Sequence, residues 1–458
     1  MHALRDYQVR NVNEILACLH RGDKGTLYVL PTGGGKTIVF SQVTRILTEL
    51  GRRVAIFVHR RELLHQASTA LSRSGVIHDL VMPGHELGRA TVQVASIDTV
   101  LARFEAYQPW LGGLDLAVWD EAHHVVAGKW RRLIAAVGGQ HLGVTATPFR
   151  SDGRGLGETF TMAVQGPSIR ELIDLGYLAA PRVFAPPVRI DLSRVRRRGG
   201  DYSPLDLAQA VNTTQFSRTA VACYKRLVPG SSCVVFCASV SHARDVAMEF
   251  QAAGVAAEAI DGTLGDGERR RILEALGGGR IRVLTSCDLV SEGTDLPGVG
   301  TALLLRPTLS TGLYLQQVGR VLRPFPGKEG AAIIDLAGNS RTHGLPEEDR
   351  QWCLQKGIRK RDPSTTRRCR LCARVHAWSE SCPGCGTRYP ATSSPVREND
   401  SAGVAGFSPE RIRTMSHRTL RQIGRSREDW EKIASIRGLS RGWTELHLDR
   451  AVPRSQAR

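Results

Sequence analysis

The sequence contains no run of about 20 consecutive apolar residues, the length that a helix needs to cross a lipid bilayer. The first ten residues, Met1–Arg10, carry charged and polar side chains where a secretory signal would be apolar. Short-period repeats and long low-complexity tracts are also absent. These absences argue against a membrane-spanning or secreted protein, and we expect a protein of the cytoplasm.

Disulfide bonds are not expected, although the chain has ten cysteines. A long chain without a secretion signal has little need of covalent cross-links, and six of the cysteines stand singly or within apolar segments. These six are Cys18, Cys223, Cys233, Cys237, Cys287 and Cys353. We predict that they are reduced and mostly buried. The other four cysteines are spaced in pairs.

Positive charge is in excess, since 62 lysine and arginine residues stand against 44 acidic ones and give a formal net charge of +18. A basic surface favours a polyanionic partner because each neutralised phosphate releases condensed counterions. Residues 346–458 hold 23 of the basic residues and 13 of the acidic ones. This last quarter is therefore the expected electrostatic footprint for nucleic acid.

Short apolar runs typical of buried strands alternate with amphipathic stretches typical of helices, and they do so in two series. The strand candidates of the first series are Thr26–Leu30, Val54–Val58, Thr91–Ala95, Leu116–Trp119 and Leu142–Thr145. Those of the second series are Cys233–Cys237, Ala256–Ile260, Ile281–Thr285, Ala302–Leu305 and Ala331–Ile334. The alternation predicts an α/β fold with two mainly parallel sheets.

The domain organisation follows from these series and from the length, because 458 residues exceed what one core usually serves. We predict one lobe at residues 1–180 and a second at residues 216–345. Residues 181–215, rich in proline, glycine and arginine, are the predicted connector. Its Arg196–Arg198 cluster is either a solvated linker or a loop that contacts phosphate. Residues 391–458 are the predicted flexible linker and basic helical tail.

A glycine-rich loop follows the first strand candidate, in the segment Pro31–Thr37. Glycines let backbone N–H groups fold around phosphate oxygens, and the N-terminus of the following helix adds its positive dipole end. We expect Lys36 to reach the β and γ phosphates and Thr37 to bind Mg²⁺. The nucleotide-binding candidates are Thr32, Gly33, Gly34, Gly35, Lys36 and Thr37. The general pattern asks for a glycine where this chain has Leu30.

Two adjacent acids, Asp120 and Glu121, follow the apolar run Leu116–Trp119. A nucleotide site needs a carboxylate at the end of a neighbouring strand, so we expect Asp120 to bind Mg²⁺. Glu121 is the candidate base that orients or deprotonates the attacking water. Alone, such a pair is common on surfaces; next to the glycine-rich loop it indicates a hydrolytic site.

Several segments resemble the motifs of the superfamily 2 helicases. Asp120–His123 resembles their DEAH box, Thr145–Thr147 their Ser-Ala-Thr motif, and Gln316–Arg323 their sixth motif. Leu4–Gln8 resembles the element that recognises adenine in the branch containing DNA-repair helicases and restriction-enzyme motors. Ile436–Trp443 is similar to the tails of phage and prophage members. The resemblance implies two tandem RecA-like parallel-sheet lobes, with ATP and Mg²⁺ as cofactors and nucleic acid as the partner.

The same resemblance implies roles for further residues. Arg5 and Gln8 belong to the adenine element, and the amide of Gln8 can both donate and accept at the adenine edge. Arg320 and Arg323, one helical turn apart, would act as arginine fingers on the γ phosphate. The candidates of the fifth motif, which would touch nucleotide and nucleic acid, are Gly293 and Asp295. Candidates for strand contact and coupling are His59, Arg60, Arg61, Glu62, Ser96, Thr99, Thr145, Thr147 and Ser239.

The paired cysteines are Cys369 with Cys372 and, after nine intervening residues, Cys382 with Cys385. Two Cys-x-x-Cys pairs can bring four thiolates to one tetrahedral Zn²⁺. We predict a zinc-ribbon-like module at residues 346–390, with redox pairing of the cysteines as the alternative. Surrounding arginines, with His376 and Trp378, would suit nucleic acid. A purely structural zinc site with a solvated basic rim is the other possibility.

Three hypotheses for the function follow. The first is an ATP-dependent DNA helicase or translocase that works with replication, repair or nuclease partners. The second is an RNA helicase, since nothing in the motifs distinguishes the two sugars. The third is a motor or binding subunit whose chemistry lies in a partner such as a nuclease. The complete set of nucleotide-site candidates favours an enzyme that hydrolyses ATP itself.

Overall fold

The computed structural model describes residues 3–124, 128–148, 155–287, 296, 298–350, 352–354, 357–358, 366–389, 409–415, 420 and 427–439. The chain divides into two compact units, residues 1–379 with 383–385 and residues 380–382 with 386–458. Within the described ranges, no helix has both the length and the apolar character needed to cross a bilayer.

The first lobe contains a parallel sheet of seven strands in the order β3-β4-β2-β5-β6-β1-β7. Its strands are β1 Gly25–Val29, β2 Val54–Val58, β3 Asp79–Val81, β4 Val92–Ser96, β5 Leu116–Asp120, β6 Gln140–Thr145 and β7 Met162–Gln165. Its helices are α1 Asp6–His20, α2 Lys36–Glu49, α3 Arg61–Arg73, α4 Ile97–Ala102, α5 Phe104–Gly112, α6 Gly128–Ala136 and α7 Ile169–Asp174. The central strands β1, β5 and β6 place their carboxyl ends side by side.

The central strands of this sheet are buried on both faces, which explains why β2 is apolar at every position. In β2, Ile56 and Val58 pack into one hydrophobic core while Phe57 packs into a second core on the other face. Phe57 also stacks on Trp119 of β5, with ring centroids 4.5 Å apart. Burying one such side chain contributes roughly 1.5–3 kcal/mol, so these strands hold the polar residues at their ends in fixed positions.

The second lobe contains a mixed sheet of eight strands in the order β12-β13-β11-β14-β15-β8-β19-β18. Its strands are β8 Pro181–Phe184, β11 Cys233–Phe236, β12 Ala257–Ile260, β13 Val283–Ser286, β14 Thr301–Leu304, β15 Ala331–Asp335, β18 Thr366–Arg368 and β19 Arg374–Ala377. Its helices are α8 Pro204–Val211, α9 Thr214–Leu227, α10 Val240–Ala252, α11 Asp266–Gly277, α12 Thr311–Gly319 and α13 Asn339–His343. The predicted α/β class with two lobes is confirmed, and all ten predicted strands are present with ends shifted by at most two residues.

The segment predicted as a connector, residues 181–215, has secondary structure of its own. Its first residues form β8, which pairs with β15 and so belongs to the second sheet. Next comes a short antiparallel hairpin of β9 Arg197–Arg198 and β10 Asp201–Tyr202. A further antiparallel pair, β16 Trp352–Cys353 and β17 Gly357–Ile358, follows the second lobe.

The cysteine-bearing hairpin β18–β19 extends the second sheet. Val375 and Arg374 of β19 pair in antiparallel fashion with Val183 and Phe184 of β8. The parallel sheet therefore ends in two antiparallel strands at this edge. In the second unit, the described helices are α14 Pro409–Thr414 and α15 Arg427–Arg437, which share a small core around Ile412, Leu420, Trp430 and Ile433.

Candidate functional site

The glycine-rich loop runs from the carboxyl end of β1 to the start of α2. Gly33 and Gly35 adopt φ angles of 88° and 91°, which favour glycine because a Cβ atom would be strained there. Among the hydrogen bonds of the described residues, the backbone N–H groups of Gly33, Gly35, Lys36 and Thr37 reach no backbone carbonyl. A cradle of such N–H groups at a helix N-terminus fits a phosphate.

Lys36, the first residue of α2, points back across this loop. Its Nζ donates to the carbonyl oxygen of Leu30 at 3.3 Å. Loss of hydration lowers the pKa of Lys36, while Glu121 and Asp120 act in the opposite direction. An ammonium group held here lacks the water that would normally solvate it, so a phosphate anion would be a favourable partner.

The two acids lie at the carboxyl end of β5, and both are buried, with 6% of each residue exposed. The backbone N–H of Glu121 donates to Oδ1 of Asp120 at 3.0 Å. Glu121 has a φ of 52°, in the left-handed region that residues other than glycine rarely adopt. Its Oε2 atom is buried without a hydrogen-bond partner in the described structure, and His123 Nδ1 lies 3.4 Å away. A strained, under-bonded carboxylate of this kind fits a base that awaits a water molecule.

The second lobe completes the site through the end of α12. Gly319 packs against Thr32 of the glycine-rich loop, and the next residue, Arg320, is 5% exposed. The side chain of Arg323 contacts the loop near Gly33, where a Cβ atom would lie 3.5 Å from Arg323 Cγ. Both arginines therefore face the loop that belongs to the other lobe.

One cleft of about 680 Å³ brings nine predicted residues together. They are Thr32, Gly33, Gly35, Lys36, Thr37, Asp120, Glu121, Arg320 and Arg323. Gly34 of the same loop does not line the cleft, and its carbonyl oxygen accepts a hydrogen bond from the Tyr7 hydroxyl at 2.5 Å. Gly293 and Asp295, the candidates of the fifth motif, lie outside the described residues.

The predicted adenine element lies beside the same loop. Gln8 is buried, its Oε1 accepts from the backbone N–H of Arg5 at 3.0 Å, and its Nε2 lies 3.4 Å from the Gly34 carbonyl oxygen. The guanidinium of Arg5 stacks over the ring of Tyr177 at 4.0 Å, and Tyr7 lies 5.6 Å from the same ring. Sequence reasoning missed Tyr177, which offers an aromatic face beside Arg5.

A group of imidazole rings connects the acids to the end of β2. His123 Nδ1 lies 3.2 Å from the Thr145 hydroxyl, and its ring centroid is 4.2 Å from that of His124. His124 in turn lies 4.7 Å from His59 and 5.9 Å from Trp130. Thr145 also exchanges hydrogen bonds with Thr147. The packing joins three predicted elements, and sequence reasoning missed His124 and Trp130 because no motif spacing connects them to His59.

The predicted strand-contact residues have mixed surroundings. Arg61 and Glu62 pair with the second lobe, Arg61 with Asp266 and Glu62 with Arg269, both at 3.1 Å. Thr99 is buried within α4. Ser239 caps α10 by accepting a hydrogen bond from the backbone N–H of His242.

The first cysteine pair forms a tight turn between β18 and β19. Ala373 N donates to Cys369 O at 3.1 Å, Cys369 N donates to Arg374 O at 2.8 Å, and Ala373 has a φ of 61°. Hydrogen bonds from the backbone N–H groups of Cys372 and Leu371 lower the pKa of the Cys369 thiol to about 6. This turn therefore favours the thiolate form, which is the form that binds metal.

The second pair repeats the geometry of the first. Gly386 N donates to Cys382 O at 2.9 Å, Cys382 N donates to Thr387 O at 2.9 Å, and Gly386 has a φ of 71°. The four Sγ atoms all lie within 4.8 Å of one another, and those of Cys369 and Cys385 are 3.6 Å apart. A tetrahedral zinc site with Zn–S bonds of about 2.3 Å separates its sulfurs by about 3.8 Å. The cluster is therefore compatible with zinc.

The side chains around the first pair differ in exposure. Trp378 is exposed, and the guanidinium of Arg367 lies 4.1 Å above its ring. His376, predicted to share this surface, is instead buried at 7% exposure, with Nδ1 2.7 Å from the carbonyl oxygen of Ala377.

Comparisons with known proteins agree with this geometry. Residues 1–150 match the family described as type III restriction enzyme, res subunit, and residues 219–324 match the helicase conserved C-terminal domain. A 51.5 kDa protein of a Lactococcus phage is 31% identical over 363 residues, which cover 79% of this chain and 74% of the relative. The putative ATP-dependent helicase IRC3 of Saccharomyces cerevisiae is 30% identical over 362 residues, which cover 74% of this chain and 52% of that protein.

Among solved structures, a fragment of a putative HsdR subunit of a type I restriction enzyme from Vibrio vulnificus is similar, with a TM-score of 0.59 and 22% identity. The match covers 76% of this chain and 68% of that fragment and establishes the likeness of fold. The cleft, the two lobes and the sequence relatives lead to one assignment: the chain belongs to the superfamily 2 helicases, a family of nucleic-acid-dependent ATPases.

Proposed function

We propose that this chain hydrolyses ATP in the cleft between its lobes and uses the resulting lobe movement to travel along DNA or to separate its strands. The observation that carries the proposal is the single cleft in which Lys36 and Glu121 of the first lobe face Arg320 and Arg323 of the second. A nucleotide in this cleft would contact both lobes, so its hydrolysis would change the contact between them.

Each residue has a part that its position supports. The glycine-rich loop and Lys36 would bind the phosphates, and Glu121 would orient the attacking water. Arg320 and Arg323 would stabilise the charge that develops on the γ phosphate. Arg5 and Gln8, with Tyr177, would hold the adenine. Thr37 and Asp120 suit Mg²⁺, which would neutralise phosphate charge during hydrolysis.

We favour DNA over RNA as the track. The support is the match of the first lobe to the res subunit of type III restriction enzymes, since restriction enzymes act on DNA. The alternative is an RNA helicase. A second alternative is a motor subunit that serves a partner such as a nuclease. The chain spans about half the length of the IRC3 relative.

The cysteine cluster supports a zinc site next to the motor. Zn²⁺ bound by Cys369, Cys372, Cys382 and Cys385 would fix the turn that holds β19 against β8. Exposed Trp378 with Arg367 above it offers a stacking surface for a base.

ATP hydrolysis by the purified protein tests the proposal, measured alone and with single-stranded DNA, duplex DNA and RNA of matched sequence. Lys36→Ala should abolish hydrolysis because the phosphates lose their cation. Lys24→Ala is the matched control, since it removes the same charge just before β1, at the opposite end of the strand from the loop.

Each outcome favours a different hypothesis. Stimulation by DNA, lost in Lys36→Ala and kept in Lys24→Ala, supports the proposal. Stimulation by RNA alone favours the RNA helicase. Absence of hydrolysis with every polymer contradicts the proposal and favours a subunit whose chemistry lies in a partner.

A further inference from the structure

The β9–β10 hairpin projects two arginines from the second lobe. Arg197 pairs with Tyr202 and Arg198 with Asp201 across the strands, and Gly199 and Gly200 form the turn. Their φ angles of 60° and 87° are those of a two-residue turn that matches the natural twist of a hairpin. The base of the hairpin packs into the hydrophobic core through Tyr202, whereas its tip is exposed.

The charge of this tip is not neutralised by the protein. Arg196, at the base, forms an ion pair, since its Nε and Nη2 atoms donate to the carboxylate of Asp206 at 2.7 and 2.9 Å. Arg197 and Arg198 form no ion pair with any residue that the structure describes. Two exposed guanidinium groups on consecutive strand residues project from opposite faces of the hairpin, so the tip offers positive charge to phosphate on both faces.

The hairpin is anchored by Asp201, whose carboxylate reaches the loop between β14 and α12. Its Oδ2 accepts from the Thr308 hydroxyl at 2.6 Å, and its Oδ1 accepts from the backbone N–H of Leu309 at 2.7 Å. The one acidic side chain of the hairpin therefore fixes it to the lobe and does not pair with the arginines. This loop lies at the carboxyl end of β14, the edge of a parallel sheet where ligands usually bind.

The anchor loop is itself held rigidly. Thr308 N donates to Oδ1 of Asn339 at 3.0 Å, and His343 Nε2 lies 2.9 Å from the Thr308 carbonyl oxygen. Ser310 caps α12 by accepting from Leu313 N at 3.2 Å. Helix α12 then runs to Gly319, immediately before Arg320 of the ATP cleft. A continuous, well-bonded path thus joins the hairpin to the arginine that faces the nucleotide site.

We propose that the tip of the β9–β10 hairpin binds the phosphates of the nucleic-acid strand, and that Asp201 transmits this contact through α12 to the ATP cleft. The inference rests on the proposed function and adds to it a strand-binding element with its route of coupling. The arginines supply the affinity, and the anchor supplies the coupling.

A measurement of DNA binding tests the proposed role of the two arginines at the hairpin tip. Fluorescence anisotropy of a labelled single-stranded DNA is measured across a range of salt concentrations, without ATP, for the wild type and for Arg197→Ala/Arg198→Ala. Loss of two phosphate contacts should weaken binding. It should also reduce the steepness with which the logarithm of the association constant falls with the logarithm of salt concentration, by about 1.4. The matched control is Arg226→Ala/Arg280→Ala, which removes two exposed arginines of the same lobe near the amino ends of β11 and β13.

Three outcomes are distinguishable. A less steep salt dependence of binding in the hairpin variant alone supports the inference. Equal slopes in the hairpin variant and the control overturn it and leave the proposed function standing. A wild-type protein that binds no nucleic acid overturns both.

Two further variants test the coupling. Asp201→Ala removes both anchoring hydrogen bonds, and Thr308→Val removes the one that the Thr308 hydroxyl donates. Both should lower the maximal stimulation of ATP hydrolysis by DNA several-fold while DNA affinity stays within about twofold, because the phosphate-binding arginines remain. Unchanged stimulation in both variants would contradict the coupling route.

Discussion

Gly319, the last residue of α12, lies directly against Thr32 of the glycine-rich loop, and a Cβ atom on Gly319 would fall 2.7 Å from the Cβ of Thr32. Real Cβ atoms do not approach so closely, so only glycine allows the second lobe to reach the phosphate-binding loop in this arrangement. The contact also sets the position of Arg320, the next residue.

Gly319→Ala should therefore lower the kcat of ATP hydrolysis by between tenfold and about 100-fold, because it displaces the arginines from the cleft. Steady-state kinetics would measure this. Gly267→Ala in α11 is the control, since a Cβ there meets no atom within 4 Å. Equal kcat values for the two variants would contradict the proposed role of this contact.

Replacement of Glu121, the acid with the strained backbone, should abolish most ATP hydrolysis without loss of nucleotide binding. Glu121→Gln keeps the size of the side chain but removes the base, so we expect kcat to fall by about 10²- to 10⁴-fold while nucleotide affinity stays similar. Hydrolysis assays and binding of a fluorescent ATP analogue measure the two effects. Glu105→Gln removes an exposed carboxylate that pairs with Arg132 and should leave both unchanged. A Glu121→Gln protein with nearly normal kcat would rule out the assignment of the base.

The cysteine cluster predicts a bound metal, and loss of that metal should loosen the neighbouring strand β19. The wild type should contain zinc by elemental analysis, and Cys382→Ser should lose it because three thiolates bind zinc less tightly than four. Amide hydrogen exchange in β19 should then rise, since the turn beside it is no longer fixed. Cys18→Ser, in α1, should keep the metal. Zinc content that is unchanged in Cys382→Ser would refute the site.

One buried histidine of the second lobe predicts acid sensitivity. Burial lowers the pKa of His242 from 6.5 to about 4, and its Nδ1 accepts from the backbone N–H of Ala238. The unfolded chain protonates this imidazole near pH 6.5, so it binds more protons than the native state between pH 6.5 and about 4. The free energy of unfolding must therefore decrease as the pH falls through this window, by about 3 kcal/mol at most.

His242→Asn keeps an acceptor near the position of Nδ1 and removes the titration. Urea unfolding at pH 7 and pH 5 should show a smaller loss of stability in this variant than in the wild type. An equal loss in both proteins would show that other groups account for the acid sensitivity.

Much of the phosphate site was predictable from the sequence because its parts are local. A glycine-rich turn between a strand and a helix has few alternative conformations, and Asp120 and Glu121 follow the apolar run Leu116–Trp119 at the end of β5. Parallel strands put such ends on one edge of the sheet, so separate motifs predict a common site.

Other relationships could not be predicted because they join distant segments through side-chain packing. Tyr177 reaches Arg5, and Trp130 lies near His59 and His124, without any motif spacing that connects them. Arg61 has the charge expected of a phosphate contact, yet its position across from Asp266 gives it an ion pair with the other lobe.

The sequence by itself determined the two α/β lobes, the phosphate loop, the acids and the spacing of the four cysteines, since periodicity, turn chemistry and ligand spacing act over short stretches. Tertiary structure alone decided that Gly319 meets Thr32, that β19 extends the second sheet, and that Asp201 fixes the arginine hairpin to the loop before α12. These contacts depend on how whole sheets and helices pack, and packing is a property of the folded chain.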